Sequence, residues 1–167
     1  MIPEVQRWRE ALVQEHQSAA DLLSLVDALQ TLVIARRFEG LSENMEGQQR
    51  RVAELFQAER VRVAAQQEAA RALGVPLPGR RTEIYRDLPE DVAREIEGLV
   101  VRLQMAMEAN QRRFQQNLLL LSRSIELAQQ VLQRSGVTNT GRTYGAKGRA
   151  GAFSLPKDTL SRWVSVV

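Results

Sequence analysis

Hydrophobic positions recur along the first third of the chain in alternating steps of three and four. Val5, Trp8, Leu12, Ala19, Leu22, Val26, Leu29 and Val33 fall on one seam, with Glu15 and Arg36 as its polar members. Such spacing keeps side chains on one face of a 3.6-residue helix and predicts a helix over about 3–38. Pro3 suits its first turn, because the missing N–H is one that a helix start leaves unbonded anyway. Gly40 marks a break, and Ser42 with Glu43 and Glu46 reads as a new N-terminus, a capping hydroxyl followed by acids. The second helix, about 42–73, has a thinner stripe of Met45, Val52, Leu55, Phe56, Val63, Ala70 and Leu73, and Gly74 stands where a helix stops. One kinked helix through Gly40 is the alternative.

Three prolines and a glycine then mark residues 74–88 as a connector. The third helix, about 89–134, carries the clearest seam: Val100, Leu103, Met107, Phe114, Leu121, Ala128 and Val131, with Asn110 and Asn117 on the same line one heptad apart. At ~1.5 Å per residue it would be about 69 Å long. A helix of that length in a small protein must pair lengthwise. The expected fold is all-α, an elongated, mainly antiparallel three-helix bundle or coiled coil over residues 1–135. From Gly136 to Val167 the period is lost, and that stretch is expected to be a flexible tail. Apolar character returns only at Leu160, Trp163, Val164, Val166 and Val167.

Composition sharpens this picture by exclusion. The 167 residues include no cysteine, which removes disulfides, thiolate metal sites and cysteine nucleophiles. The start lacks the basic and then apolar pattern of a signal peptide, and no window holds eighteen consecutive apolar residues, so a cytoplasmic protein without membrane insertion is expected. The net charge of +3 is local. Arg142, Lys147, Arg149, Lys157 and Arg162 against Asp158 place +4 in residues 136–167 and leave −1 for the rest. Five spaced cations make a poor nucleic-acid surface, and no nucleic-acid partner is expected.

Catalysis has no support. The one histidine, His16, stands five residues from Asp21, on a different helix face. No His/Glu spacing suits zinc and no Asp-rich loop suits calcium, so no metal or cofactor is expected. The glycines around Lys147 do not form a phosphate loop, since no G-x-x-x-x-G-K-[ST] pattern is present. What remains is binding. A seam with Leu103, Met107, Asn110, Phe114, Asn117, Leu121 and Ile125 offers apolar surface with polar contacts to a partner helix. The two asparagines are read first as polar seam residues at a wet interface that fix register, and second as groove contacts.

The order of two helices, a proline connector, a long asparagine-bearing helix and a Tyr-Gly tail resembles the FlgN family of flagellar export chaperones over nearly the whole chain. The resemblance rests on "LFQAERVR" with Glu59 and Arg62, on "NLLLLSRSIELAQQVL" from Asn117 to Leu132, and on Tyr144-Gly145-Ala146-Lys147-Gly148. The family often shows a second asparagine three residues before the first, where this chain has Phe114. The resemblance implies a cytoplasmic chaperone that binds the C-terminal amphipathic segments of hook-associated proteins of the FlgK and FlgL types. It further implies delivery to the export gate protein FlhA, with Tyr144, Gly145 and Gly148 as the docking motif. A homodimer is compatible with the pattern. The competing reading is a generic coiled-coil adaptor or structural protein with an incidental tail motif, ahead of a nucleic-acid-binding helical protein.

Overall fold

The computed structural model describes residues 2–76 and 81–134. Helices α1 (Pro3–Ile34), α2 (Leu41–Ala72), α3 (Arg81–Arg86) and α4 (Glu90–Arg134) account for most of them, with a 3-10 turn at Phe38–Gly40. No described residue is in a strand, and the all-α expectation is met. The chain divides into two compact units, Met1–Leu121 and Ser122–Val167. Of the second, the described part is the last three turns of α4. The tail from Ser135 onward, including Tyr144, Gly145 and Gly148, lies outside the described residues.

Helix α1 stops at Ile34 instead of running to Phe38, and it stops without glycine. Arg36 takes φ 55°. Its N–H donates to the Val33 carbonyl at 3.1 Å, and the Arg37 N–H to the Leu32 carbonyl at 2.9 Å. This paired closure satisfies carbonyls that the helix end leaves open. Helix α2 ends in the same way around Gly74 (φ 73°), with Val75 N–H on Ala70 and Gly74 N–H on Arg71. Glycine adopts that backbone without the Cβ clash that Arg36 must bear. Arg36→Gly is therefore expected to stabilise the protein by about 0.5–1 kcal/mol, read as a higher urea midpoint at unchanged slope. A lower midpoint would show that the Arg36 side chain makes a compensating contact.

Two sets of cross-helix contacts fix the topology of the first unit. Between α1 and α2, Arg7 meets Glu68, Glu15 meets Arg62, Asp21 meets Arg51, and Asn44 donates to the Leu25 carbonyl. Numbers rise on one helix as they fall on the other, so the pair is antiparallel. Between α1 and α4, Arg9 meets Glu95, Asn110 donates to Ala19, and Asn117 donates to Val26. Here both numbers rise together, so α1 and α4 run parallel, and the unit is an up-down-up bundle.

The connector is not a plain loop, since α3 lies within it. Its Ile84 is buried, and its Tyr85 ring lies 6.2 Å from Trp8, 12° from coplanar. Burial of Ile84 and stacking of the half-buried Tyr85 on buried Trp8 offset the poor intrinsic stability of a six-residue helix, which periodicity over so short a span does not reveal.

The α2 stripe also differs from the periodic reading. Its buried residues are Asn44, Gln48, Leu55, Ala58, Ala65, Ala69 and Ala70, while Met45, Val52, Phe56, Val63 and Leu73 are half-buried. Alanines and amides hold the centre of the face and the larger apolar side chains flank it.

Candidate functional site

The core of the first unit changes character along its length. Near one end it is built from Val5, Trp8, Leu12, Ile84, Ile96 and Leu103. Toward the α1–α2 turn, beside Leu22, Val26, Leu29 and Val33, it also holds four carboxamides, those of Asn44, Gln48, Asn110 and Asn117, all buried. Three donate to α1 backbone carbonyls: Asn44 to Leu25 at 3.0 Å, Asn110 to Ala19 at 2.8 Å and Asn117 to Val26 at 2.7 Å. Gln48 donates to Asn44 Oδ1 at 2.6 Å. A carbonyl has two lone pairs, so each α1 carbonyl accepts a side-chain N–H without giving up its place in the helix.

The asparagine contacts advance by seven residues on each helix, from Ala19 to Val26 and from Asn110 to Asn117. A slip of α4 by one turn would bury amides against apolar surface, so the two residues set register. They carry a cost, because Asn110 Oδ1 and Asn117 Oδ1 are buried without a hydrogen-bond partner. Asn117→Leu is therefore expected to raise stability by about 1 kcal/mol, since it removes an unpaired acceptor and adds apolar burial. A fall in the thermal midpoint would show that the bond to Val26 outweighs that cost.

One buried ion pair joins α1 to α2. Glu15 Oε2 lies 2.5 Å from Arg62 Nε, and Arg62 also reaches Gln66. Glu15 is 2% exposed. Burial pushes its carboxyl above the ordinary range, Arg62 pulls it back, and the nearby Glu59 charge adds to the push. Glu15 was visible in the sequence as a polar break in the α1 seam. Arg62 was singled out only within the "LFQAERVR" stretch, and its pairing with Glu15 was not visible, because it belongs to an α2 face whose position the thin apolar stripe misplaces.

Of the groove residues expected from sequence, Leu103, Asn110 and Asn117 are buried and Met107, Phe114 and Leu121 are half-buried in the first unit. Ile125 is in the second unit and is 58% exposed. It has company there. Leu127, Val131 and Leu132 are all more than half exposed, and Ala128 is exposed as well. At 100° per residue these five and Ser124 fill one arc of about 160°, while Ser122, Arg123, Glu126, Gln129, Gln130, Gln133 and Arg134 fill the other side. This segregation was readable in the sequence, but which face meets solvent was not.

A helix face of this kind buries another apolar helix face. Among the described residues no group of three metal-binding side chains occurs, and no helix is long and apolar enough to cross a membrane.

The comparison with known families bears on the whole helical part of the chain. The model of the family described as FlgN protein matches residues 1–152, which takes in all four helices. No curated protein and no solved structure matches the chain.

Proposed function

The chain belongs to the FlgN family of flagellar export chaperones, and on that premise we propose that it acts in the cytoplasm on hook-associated proteins of the FlgK and FlgL types. It binds their C-terminal amphipathic segments and delivers the client proteins to the export gate. The observation that carries the binding half of this reading is the exposed apolar face at the end of α4, Ile125 to Leu132. An amphipathic client segment laid on that face exchanges two wet apolar surfaces for one dry interface, the general mode of helix recognition by a groove or face.

The delivery half rests on Tyr144-Gly145-Ala146-Lys147-Gly148, proposed as the motif that docks to FlhA. A tyrosine brings large contact area at small entropic cost, and the flanking glycines adapt the backbone to a receptor surface.

Titration calorimetry of the full chain against the terminal segments of the hook-associated proteins tests the binding half. One-to-one binding with Kd about micromolar or tighter and a negative heat-capacity change is the expected result. Absence of heat with either client type returns the protein to a helical adaptor of another kind. The delivery half is tested separately with Tyr144→Ala, which should lose affinity for the FlhA cytoplasmic domain and keep full affinity for the client.

A further inference from the structure

The turn that joins α1 to α2 leaves both apolar and cationic side chains in water. Ile34 is 66% and Phe38 57% exposed, and Ala35, Arg36, Arg37 and Glu39 are exposed with them. Neither guanidinium of the turn has an ion pair or side-chain hydrogen bond among the described residues, whereas Arg7, Arg9, Arg51 and Arg62 each meet a carboxylate. Arg36 is also held at φ 55°, a backbone state in which glycine would be the more stable residue. The chain bears a conformational cost to keep a cation at this point, and such an outlier marks a working surface. We propose that residues 34–39 are a peripheral docking point for a membrane that carries anionic lipid. Arg36 and Arg37 meet the headgroup phosphates, and Ile34 and Phe38 reach the boundary of the acyl chains.

Shape and charge select this occupant. Helices α1 and α2 are antiparallel, so the turn between them is the convex end of a hairpin, and a convex end meets a flat lipid surface without needing a groove. Guanidinium groups match phosphate oxygens with paired N–H donors. The attraction of an anionic leaflet fades within a Debye length, so cations at the tip count and those further along the helices do not. Glu39 lies in the same turn and Glu43 in the first turn of α2, both exposed. They leave the turn with two cations against one anion, which is a weak attraction by itself. The apolar pair therefore has to carry part of the contact, and that gives Ile34 and Phe38 a reason to stand in water in the free protein. The contact is shallow, since no described helix is long and apolar enough to cross a membrane. It uses no residue of the α4 face.

The chain contains no cysteine, so a single introduced one can be labelled with an apolar, environment-sensitive fluorophore. Phe38→Cys places the dye at the tip, where it stands in for the phenyl ring, and Gln67→Cys places it on an exposed position of α2 as a reference. The labelled full chain is mixed with vesicles of phosphatidylcholine alone, or of an equal mixture with phosphatidylglycerol. The expected result is a brighter, blue-shifted signal from position 38 with the mixed vesicles only, and no change from position 67. In the unlabelled chain, Arg36→Gly with Arg37→Gln should weaken flotation with the mixed vesicles about 30-fold. Ile34→Ser with Phe38→Ser should weaken it about tenfold or more. All four sites are exposed and Arg36→Gly is expected to stabilise, so urea midpoints at or above the parent's will show that folding is kept. A dye at position 38 that stays in water on both vesicle types overturns the proposal and leaves the turn to a protein surface. An equal signal on both types overturns the anionic-lipid reading, and an equal signal from position 67 places the contact along α2 instead. Binding that survives both pairs of substitutions also overturns it, and assigns the attraction to the basic residues between Arg142 and Arg162. No client takes part, so this proposal and the chaperone reading stand or fall separately.

Discussion

Replacing Arg62 with methionine is expected to destabilise the protein by about 3–5 kcal/mol at neutral pH. The pair is well buried, with Glu15 at 2% and Arg62 at 11% side-chain exposure, and their atoms approach to 2.5 Å. Removing the guanidinium leaves a carboxylate in the seam between α1 and α2, and the charge is then uncompensated. Even with Arg62 present, burial outweighs the pairing and lifts the Glu15 pKa. Without it, both influences that lower that pKa are lost. A carboxyl whose folded pKa lies above its unfolded value favours the folded state when protonated. That contribution is fully present below the unfolded value, about pH 4.3, and is lost as pH rises through the folded one. The deficit of the Arg62→Met variant relative to the parent should therefore be largest at neutral pH and shrink on acidification. Paired urea titrations at several pH values would show it. Adding Glu15→Leu should restore or exceed parental stability, because apolar side chains of similar size fill such a site without the desolvation cost. A deficit near zero that ignores pH would mean that water reaches the Glu15 carboxylate.

The pair also shows where the sequence stops being readable. The α1 seam was legible because large apolar residues mark it at nearly every turn, so Glu15 stood out as an exception. The α2 face was not, because its centre is alanine and amide. Ala58, Ala65 and Ala69 signal burial weakly, and Asn44 and Gln48 look like surface residues until α1 backbone carbonyls are placed beside them. The end of α1 was missed for a related reason: Arg36 occupies a backbone state that sequence associates with glycine. Helix α3 is held by Ile84 and by the Trp8–Tyr85 stack, contacts between residues far apart in the chain. On α4 both asparagines were placed on the seam from their heptad spacing, but the donors' targets were invisible without α1 in register. The candidate face was legible as a pattern. Its exposure had to come from the structure, because a buried and an exposed apolar arc have the same period.

Ile125→Asp combined with Val131→Asp is expected to weaken client binding about 30–100-fold while leaving the unfolding midpoint within experimental scatter. Both side chains are more than half exposed on the described helix, so burying a client over them is where the transfer of apolar surface occurs. A fully buried aliphatic side chain contributes about 1.5–3 kcal/mol. Part of that is already realised in the free protein, and the two losses together come to about 2–3 kcal/mol, which is the stated change in Kd. A carboxylate in a dry interface adds its own desolvation cost and makes this a lower bound. Stability should be spared for the same reason that binding is not: among the described residues these side chains support no core. Calorimetry with the client segment and thermal unfolding of the same samples give the two readouts together. A variant that binds normally would move the client site toward the half-buried Met107, Phe114 and Leu121. A variant that binds poorly and unfolds early would show that these side chains support the fold of the free protein, and the loss of binding could then not be assigned to a client contact.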